Sequence, residues 1–198
     1  MNVPVRADGF DPLGDDSLWG DVPDEAGVVL VAGNPAYLSE TERERAVAPR
    51  LGAARERAPD AWVGTESVER VAIAAGGPQF ELLSRTTERD FRALRAAGFA
   101  ETLAVYAPTV LTDDEDTVLD DVGDYAARRG PVRSALPEGA ATDATATGRA
   151  REVLSAAVRD YALVENVEAV RERVDSLRAA GADRIVGYPA RGLDAVLD

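Results

Sequence analysis

The sequence has no histidine, no cysteine and no lysine. Each absence removes a class of chemistry. Without cysteine there is no disulfide and no thiol nucleophile, and without cysteine and histidine together there is no zinc site of the usual kind. Without histidine there is no imidazole general base and no Ser-His-Asp triad. Without lysine there is no Schiff-base mechanism. Acid–base work is left to Asp, Glu, Tyr or a bound cofactor, and a resident metal would be Mg²⁺ or Ca²⁺ on carboxylates. Long apolar runs are also missing: Val28–Ala32 is the longest strand-like one, far below the ~18 residues of a membrane helix. Asn2–Asp11 is mixed and polar, unlike a secretory signal. The expectation is a cytoplasmic chain with no membrane partner.

What is present is negative charge. Asp and Glu number 36 against 22 basic residues, all of them Arg, for a net charge of −14. Nucleic-acid binding needs a cationic stripe that releases counter-ions, and basic pairs such as Arg128–Arg129 stand isolated among acids. Isoleucine occurs only at Ile73 and Ile185, beside abundant Ala, Val, Asp and Arg, a bias expected of a GC-rich genome. Acid surplus without lysine points to a halophilic protein. At molar salt the Debye length shrinks to ~3 Å and the self-repulsion of such a chain is muted.

Hydrophobic residues make up 45%, enough for a packed core, and the length suits one α/β domain over residues 1–198. Strand-like and helix-like segments alternate, which predicts a largely parallel sheet. Strands are expected at Val28–Ala32, Ala61–Gly64, Glu69–Ala75, Thr102–Ala107 and Arg184–Tyr188. Capping boxes at Ser39–Glu42 and Thr112–Glu115 predict helix starts. The first of these helices should kink or end at Pro49, with a second stretch over Leu51–Ala58. A helical turn is expected at Gln79–Ser84. Helices follow at Thr87–Ala97, from the second box to about Arg129, at Arg149–Arg159, and at Val167–Ala180 behind an Asn166 cap. Gly130–Gly148, rich in Gly, Pro, Ala and Thr, reads as a surface loop or partly mobile insert. One pattern repeats: Leu94-Arg95-Ala96-Ala97-Gly98 leads into Leu103–Tyr106, and Leu177-Arg178-Ala179-Ala180-Gly181 leads into Ile185–Tyr188. Two helix–Gly–strand steps fit a barrel or an open parallel sheet.

Three segments carry a family resemblance: Val71–Pro78; Thr102–Pro108 with the acidic helix start Asp113–Asp116; and Ala162–Asn166 through Val170–Arg173 to Gly181–Val186. Together they resemble the C-terminal half of the luciferase-like family, β/α barrels that use flavin or the deazaflavin F420. The whole chain looks like an uncharacterised haloarchaeal branch of that family. The resemblance implies an incomplete or reduced (β/α) TIM-barrel-like fold, an oxidoreductase activity, and FMN or F420 as cofactor. The family's Gly-Thr-Pro before the closing helix is Val164-Glu165-Asn166 here, and a complete barrel takes ~250 residues. These departures support an alternative: a degenerate, non-catalytic barrel serving as a binding or interaction module. The expectation is either a missing N-terminal piece or a reduced barrel, with the edge so left covered by a homodimer partner or by the N-terminal segment.

Candidate site residues follow from position. Gly76-Gly77-Pro78 is expected to close a strand and open a helix, where backbone N–H groups and a helix N-terminus suit a phosphate. The resemblance places the cofactor phosphate in this neighbourhood. Arg191 and Gly192 follow the last strand, where an Arg between small residues can take a phosphate or carboxylate. Arg6, Asp8 and Asp11, with Asp15 and Asp16 beyond, form an acidic group expected to be a salt-adapted loop. Asp113, Asp114, Glu115 and Asp116 are explained by the helix dipole. Asn34, Pro35, Tyr37, Tyr106 and Tyr188 are rim candidates for a small-molecule ligand, and Trp19 and Trp62 are expected in the core or at an interface.

Overall fold

The structure, a computed structural model, describes residues 1–34, 37–65 and 68–192. In chain order the elements are β1 (Asn2–Pro4), a 3-10 turn (Ser17–Asp21), β2 (Val29–Val31), α1 (Glu40–Glu44), α2 (Val47–Arg57), β3 (Trp62–Gly64), α3 (Glu69–Ala75), β4 (Gln79–Leu82), α4 (Thr87–Ala96), β5 (Leu103–Leu111), α5 (Glu115–Ala127), α6 (Gly130–Ala135), α7 (Gly148–Tyr161), β6 (Leu163–Glu165), α8 (Val167–Ala179) and β7 (Arg184–Pro189). This is the expected α/β class. Its seven described strands are mostly parallel and alternate with helices as in an incomplete β/α-barrel-like fold. The chain forms two compact units, one of Met1–Glu81 with Ala100–Ala104, the other of Leu82–Phe99 with Val105–Asp198.

In the first unit β1, β2, β3 and β4 lie side by side in that order, all parallel. The Gln79 N–H donates to the Thr102 carbonyl at the entry to β5, 2.8 Å away. Val3, Val5, Leu30 and Val63 are fully buried and meet Leu51 and Ala54 of α2 and Ala72 of α3. The capping box of α1 is formed: Ser39 Oγ accepts from the Glu42 N–H at 3.3 Å, and Glu42 Oε2 accepts from the Ser39 N–H at 2.6 Å.

In the second unit β5 pairs β6 in parallel from Thr109↔Leu163 to Leu111↔Glu165, and β7 also pairs β5. The core lies between α5 and α7, where Leu119, Val122, Ala126, Leu154 and Val158 are buried. Gly123 is required there: a Cβ would fall on the Thr142 carbonyl oxygen. The repeated helix–Gly motif is realised twice in one geometry. Gly98 and Phe99 donate to the Arg95 and Leu94 carbonyls (3.0 and 3.0 Å), and Gly181 and Ala182 donate to the Arg178 and Leu177 carbonyls (2.9 and 3.0 Å). Both are Schellman stops, with φ of +85° at Gly98 and +114° at Gly181.

Several expectations are corrected. Glu69–Ala75 is a helix, not a strand. A short apolar run does not by itself separate the two. Here the partly buried Val68, Val71 and Ala75 and the buried Ala72 fall at helical spacing and pack on the first unit's core, and alanine favours helix. Gln79–Leu82 is a strand, not a helical turn, because the Gln79 and Phe80 backbones are taken up by neighbouring strands. Pro108 lies inside β5 rather than ending it. It falls between the Leu83-to-Tyr106 bond and the start of β6 pairing at Thr109, where a missing N–H costs little. The break after α1 comes at Arg45–Ala46, and Pro49 sits in the first turn of α2, where no intrahelical donor is needed. Asp114, not Thr112, caps α5: its Oδ1 accepts from the Asp116 N–H at 3.3 Å. Residues expected as loop at Gly130–Ala135 form α6, and β6 was not expected at all.

Candidate functional site

The two glycines expected at a phosphate site lie in a different setting. Gly76 and Gly77, with φ of +73° and +77°, follow the C-terminus of α3 and precede β4. The helix end at this turn is therefore the partly negative one, opposite to what a phosphate prefers. Gln79, only 1% exposed, donates its side-chain amide to the carbonyls of Ala72, Gly76 and Gly77 at 3.2, 3.4 and 3.0 Å. The Arg55 guanidinium covers the face of Gly77 and donates to the Ala61 carbonyl at 2.7 Å. The turn thus directs carbonyls inward onto a buried amide.

At the carboxyl end of β1 and β2, Arg6 donates to the carbonyls of Ala32 (2.6 Å), Arg43 (2.9 Å) and Gly33 (3.3 Å). Asp8 pairs with Arg45 at 2.6 Å. Asp11, 4% exposed, accepts both Nε and Nη2 of Arg50 at 2.8 and 2.9 Å. Burial pushes the Asp11 carboxyl upward, but the Arg50 bonds, the Leu13 amide and the charges of Arg50 and Arg45 outweigh it and hold it below its ordinary value. Glu42 accepts the Asp8 and Ser39 amides, which hold it down to about 2. Asp15 is lowered by the Ser17 amide and hydroxyl, and Asp16 pairs with Arg57, whose guanidinium lies 5.2 Å from the Trp19 ring centroid. Every one of these groups is spent on local structure. Asn34 and Tyr37 are exposed, Tyr37 at 80%; Pro35 lies outside the described residues. Trp62 is half-buried in β3.

The second unit offers a cavity of about 140 Å³ at the carboxyl ends of the parallel strands β5 and β6. Ligands of parallel α/β proteins bind at this end of the strands. Its floor is Val118, Val158 and Val164, all buried. Its rim holds Thr112, Asp113, Glu115, Ser155, Arg159 and Glu165. Glu165 is the one described non-glycine residue with positive φ, at +91°, a conformation that costs a bulky L-residue about 1–2 kcal/mol. Its carboxylate accepts Arg159 Nε at 2.8 Å. Glu115 is held by Arg151, which also takes Asp116 at 2.6 Å and the Ala144 carbonyl at 3.2 Å. Among the described residues Asp113 accepts only neutral donors, the Asn166 backbone and side-chain N–H groups at 3.2 and 3.1 Å.

Near this end Arg191 is not free for a ligand: its Nε lies 2.9 Å from Asp121 Oδ1 and 2.7 Å from Oδ2. Gly192 follows in an exposed turn. Tyr188 is 38% exposed; burial, then the charge and hydrogen bond of Tyr125, push its phenol upward. Arg129 stacks on Tyr125 and Tyr161, 4.5 and 5.5 Å from the ring centroids. Tyr106 is half-buried in β5. The structure thus gathers Asp113 and Glu115 from the acidic helix start; Gly76 and Gly77 belong to the first unit, Arg191 and Gly192 to the second. Sequence reasoning missed Ser155, Arg159 and Glu165. The only sequence signal for them was the short Leu163–Glu165 apolar step between two helices. Among the described residues no group of three or more His, Cys, Asp or Glu side chains is placed to hold a metal ion.

No curated protein and no solved structure matches the chain. A family model does, over residues 1–196, under the description "Family of unknown function (DUF7388)". The match spans nearly the whole sequence, and the chain therefore belongs to the DUF7388 family.

Proposed function

We propose that this protein is a degenerate, non-catalytic β/α-barrel-like module that binds a small molecule at the carboxyl ends of β5 and β6. The observation that carries this reading is the valine-floored cavity there, with its polar rim. Its volume of about 140 Å³ lies below the ~300 Å³ at which drug-sized pockets begin, which suits a metabolite fragment rather than a fused ring system. The lack of His, Cys and Lys leaves few groups for acid–base or covalent work at neutral pH.

The rival reading is a luciferase-like oxidoreductase in which the cofactor carries the hydride chemistry and the protein positions it. It needs a phosphate subsite, and both candidates for one are engaged: Gly76–Gly77 with Gln79 and Arg55, Arg191 with Asp121. Fluorescence titration of the full chain with FMN and with F420 in molar KCl separates the readings. The module reading expects no saturable change up to high micromolar for either cofactor. Micromolar binding of one of them restores the oxidoreductase reading.

A further inference from the structure

The rim of the β5–β6 cavity is unevenly neutralised. Three carboxylates line it against one guanidinium. Glu165 is paired with Arg159 and Glu115 with Arg151, while among the described residues Asp113 is met only by the dipoles of Asn166. Asp113 is exposed at the mouth, and Val118, Val158 and Val164 are buried at the floor. A fitting ligand is charged at one end and apolar at the other. A volume of about 140 Å³ suits a short chain.

We propose that the cavity takes a small organic cation: a primary ammonium against Asp113, with a short alkyl tail on the valine floor. This rests on the binding-module reading and names the class of ligand. The ammonium would gain a charge-assisted hydrogen bond to a carboxylate that now has only neutral donors. The alkyl tail would itself leave water and cover the little of the three valines that is still exposed.

The test is an amide NMR titration of the full chain in molar KCl with n-butylammonium, using n-pentanol and butyrate as neutral and anionic comparators of similar size. Butylammonium should shift amides of residues 112–118 and 155–166 saturably. Asp113→Asn, which keeps an acceptor for Asn166, should weaken it about tenfold. Ser155→Leu, which fills the cavity, should abolish it while the rest of the spectrum stays folded. Asp24→Asn, which removes an exposed charge elsewhere, should change nothing. Equal weakening by Asp24→Asn and Asp113→Asn would show general charge attraction and overturn the proposal. If pentanol or butyrate shifts the same amides as strongly, the cation class is wrong and the module reading stands. If no probe shifts them, both are wrong.

Discussion

Asp11 is the residue whose loss should be felt most. It is the rare carboxylate in this chain that is buried, and Arg50 meets it with two nearly parallel bonds. Removing one partner of a buried pair leaves the other charge uncompensated, so Asp11→Ala should lower stability by about 3 kcal/mol, read from urea or thermal unfolding. Substituting exposed acids such as Asp24 should cost almost nothing. The pH dependence follows from the same contact. The folded carboxyl is held below its ordinary value of 3.8, so its contribution is complete above that value and is lost as pH falls below it. Glu42, held down to about 2, extends the same acid-side loss to lower pH. Asp11→Ala should remove its own share of this acid-side loss and leave that of Glu42, and the lower stability should move the acid midpoint upward.

At the level of elements, the two Schellman stops make a matched comparison. Gly98 has open space where a Cβ would go, whereas at Gly181 a Cβ would lie 2.7 Å from Arg95 Cγ. Arg95 itself donates to the Gly181 and Phe99 carbonyls, at 2.9 and 2.8 Å, and so serves both helix ends. Gly98→Ala should cost about 1–2 kcal/mol for the left-handed backbone alone, and Gly181→Ala should cost more, measured by chemical denaturation. These stops were legible in the sequence because Gly after an amphipathic run has a single strong meaning. The Ser39–Glu42 box and the Asn166 cap were legible for the same reason. The error at Glu69–Ala75 is of the opposite kind. Glu69–Ala75 mixes helix-favouring Ala with β-branched Val and Ile, and the outcome is decided by which face packs on α2 and β3. That error also moved the candidate site. Once α3 is a helix, its following glycines sit at the wrong pole for a phosphate, and the cavity between β5, β6 and α7 depends on a three-residue strand that has no periodic signature.

For the whole molecule the governing fact is a net charge of −14 with arginine as the only basic side chain. Its ion pairs are mostly solvent-exposed, such as Arg128–Asp124 and Arg149–Glu152, and such pairs contribute only about 0–1 kcal/mol each. Salt weakens those pairs and also weakens the repulsion among the surplus acids; the surplus makes the second effect larger. We therefore propose salt adaptation. The melting temperature should rise as KCl is increased from ~0.1 M to ~1 M, over which the Debye length falls from ~10 to ~3 Å. A melting temperature that stays flat or falls with salt removes the halophilic reading.

The segment between α6 and α7 is a surface loop, as its composition predicts, and it is fastened at several points. Its backbone lies against Gly123 of α5, the Ala144 N–H donates to Asp120 at 2.9 Å, and Arg151 of α7 holds the Ala144 carbonyl. The order of this stretch is borrowed. It has little regular structure of its own to nucleate from, so it should assemble only once α5 and α7 have met, and it should come away with them. A single added methyl at Gly123 would then act as a wedge, prising the covering segment off the second unit's core while leaving the first unit's strands untouched.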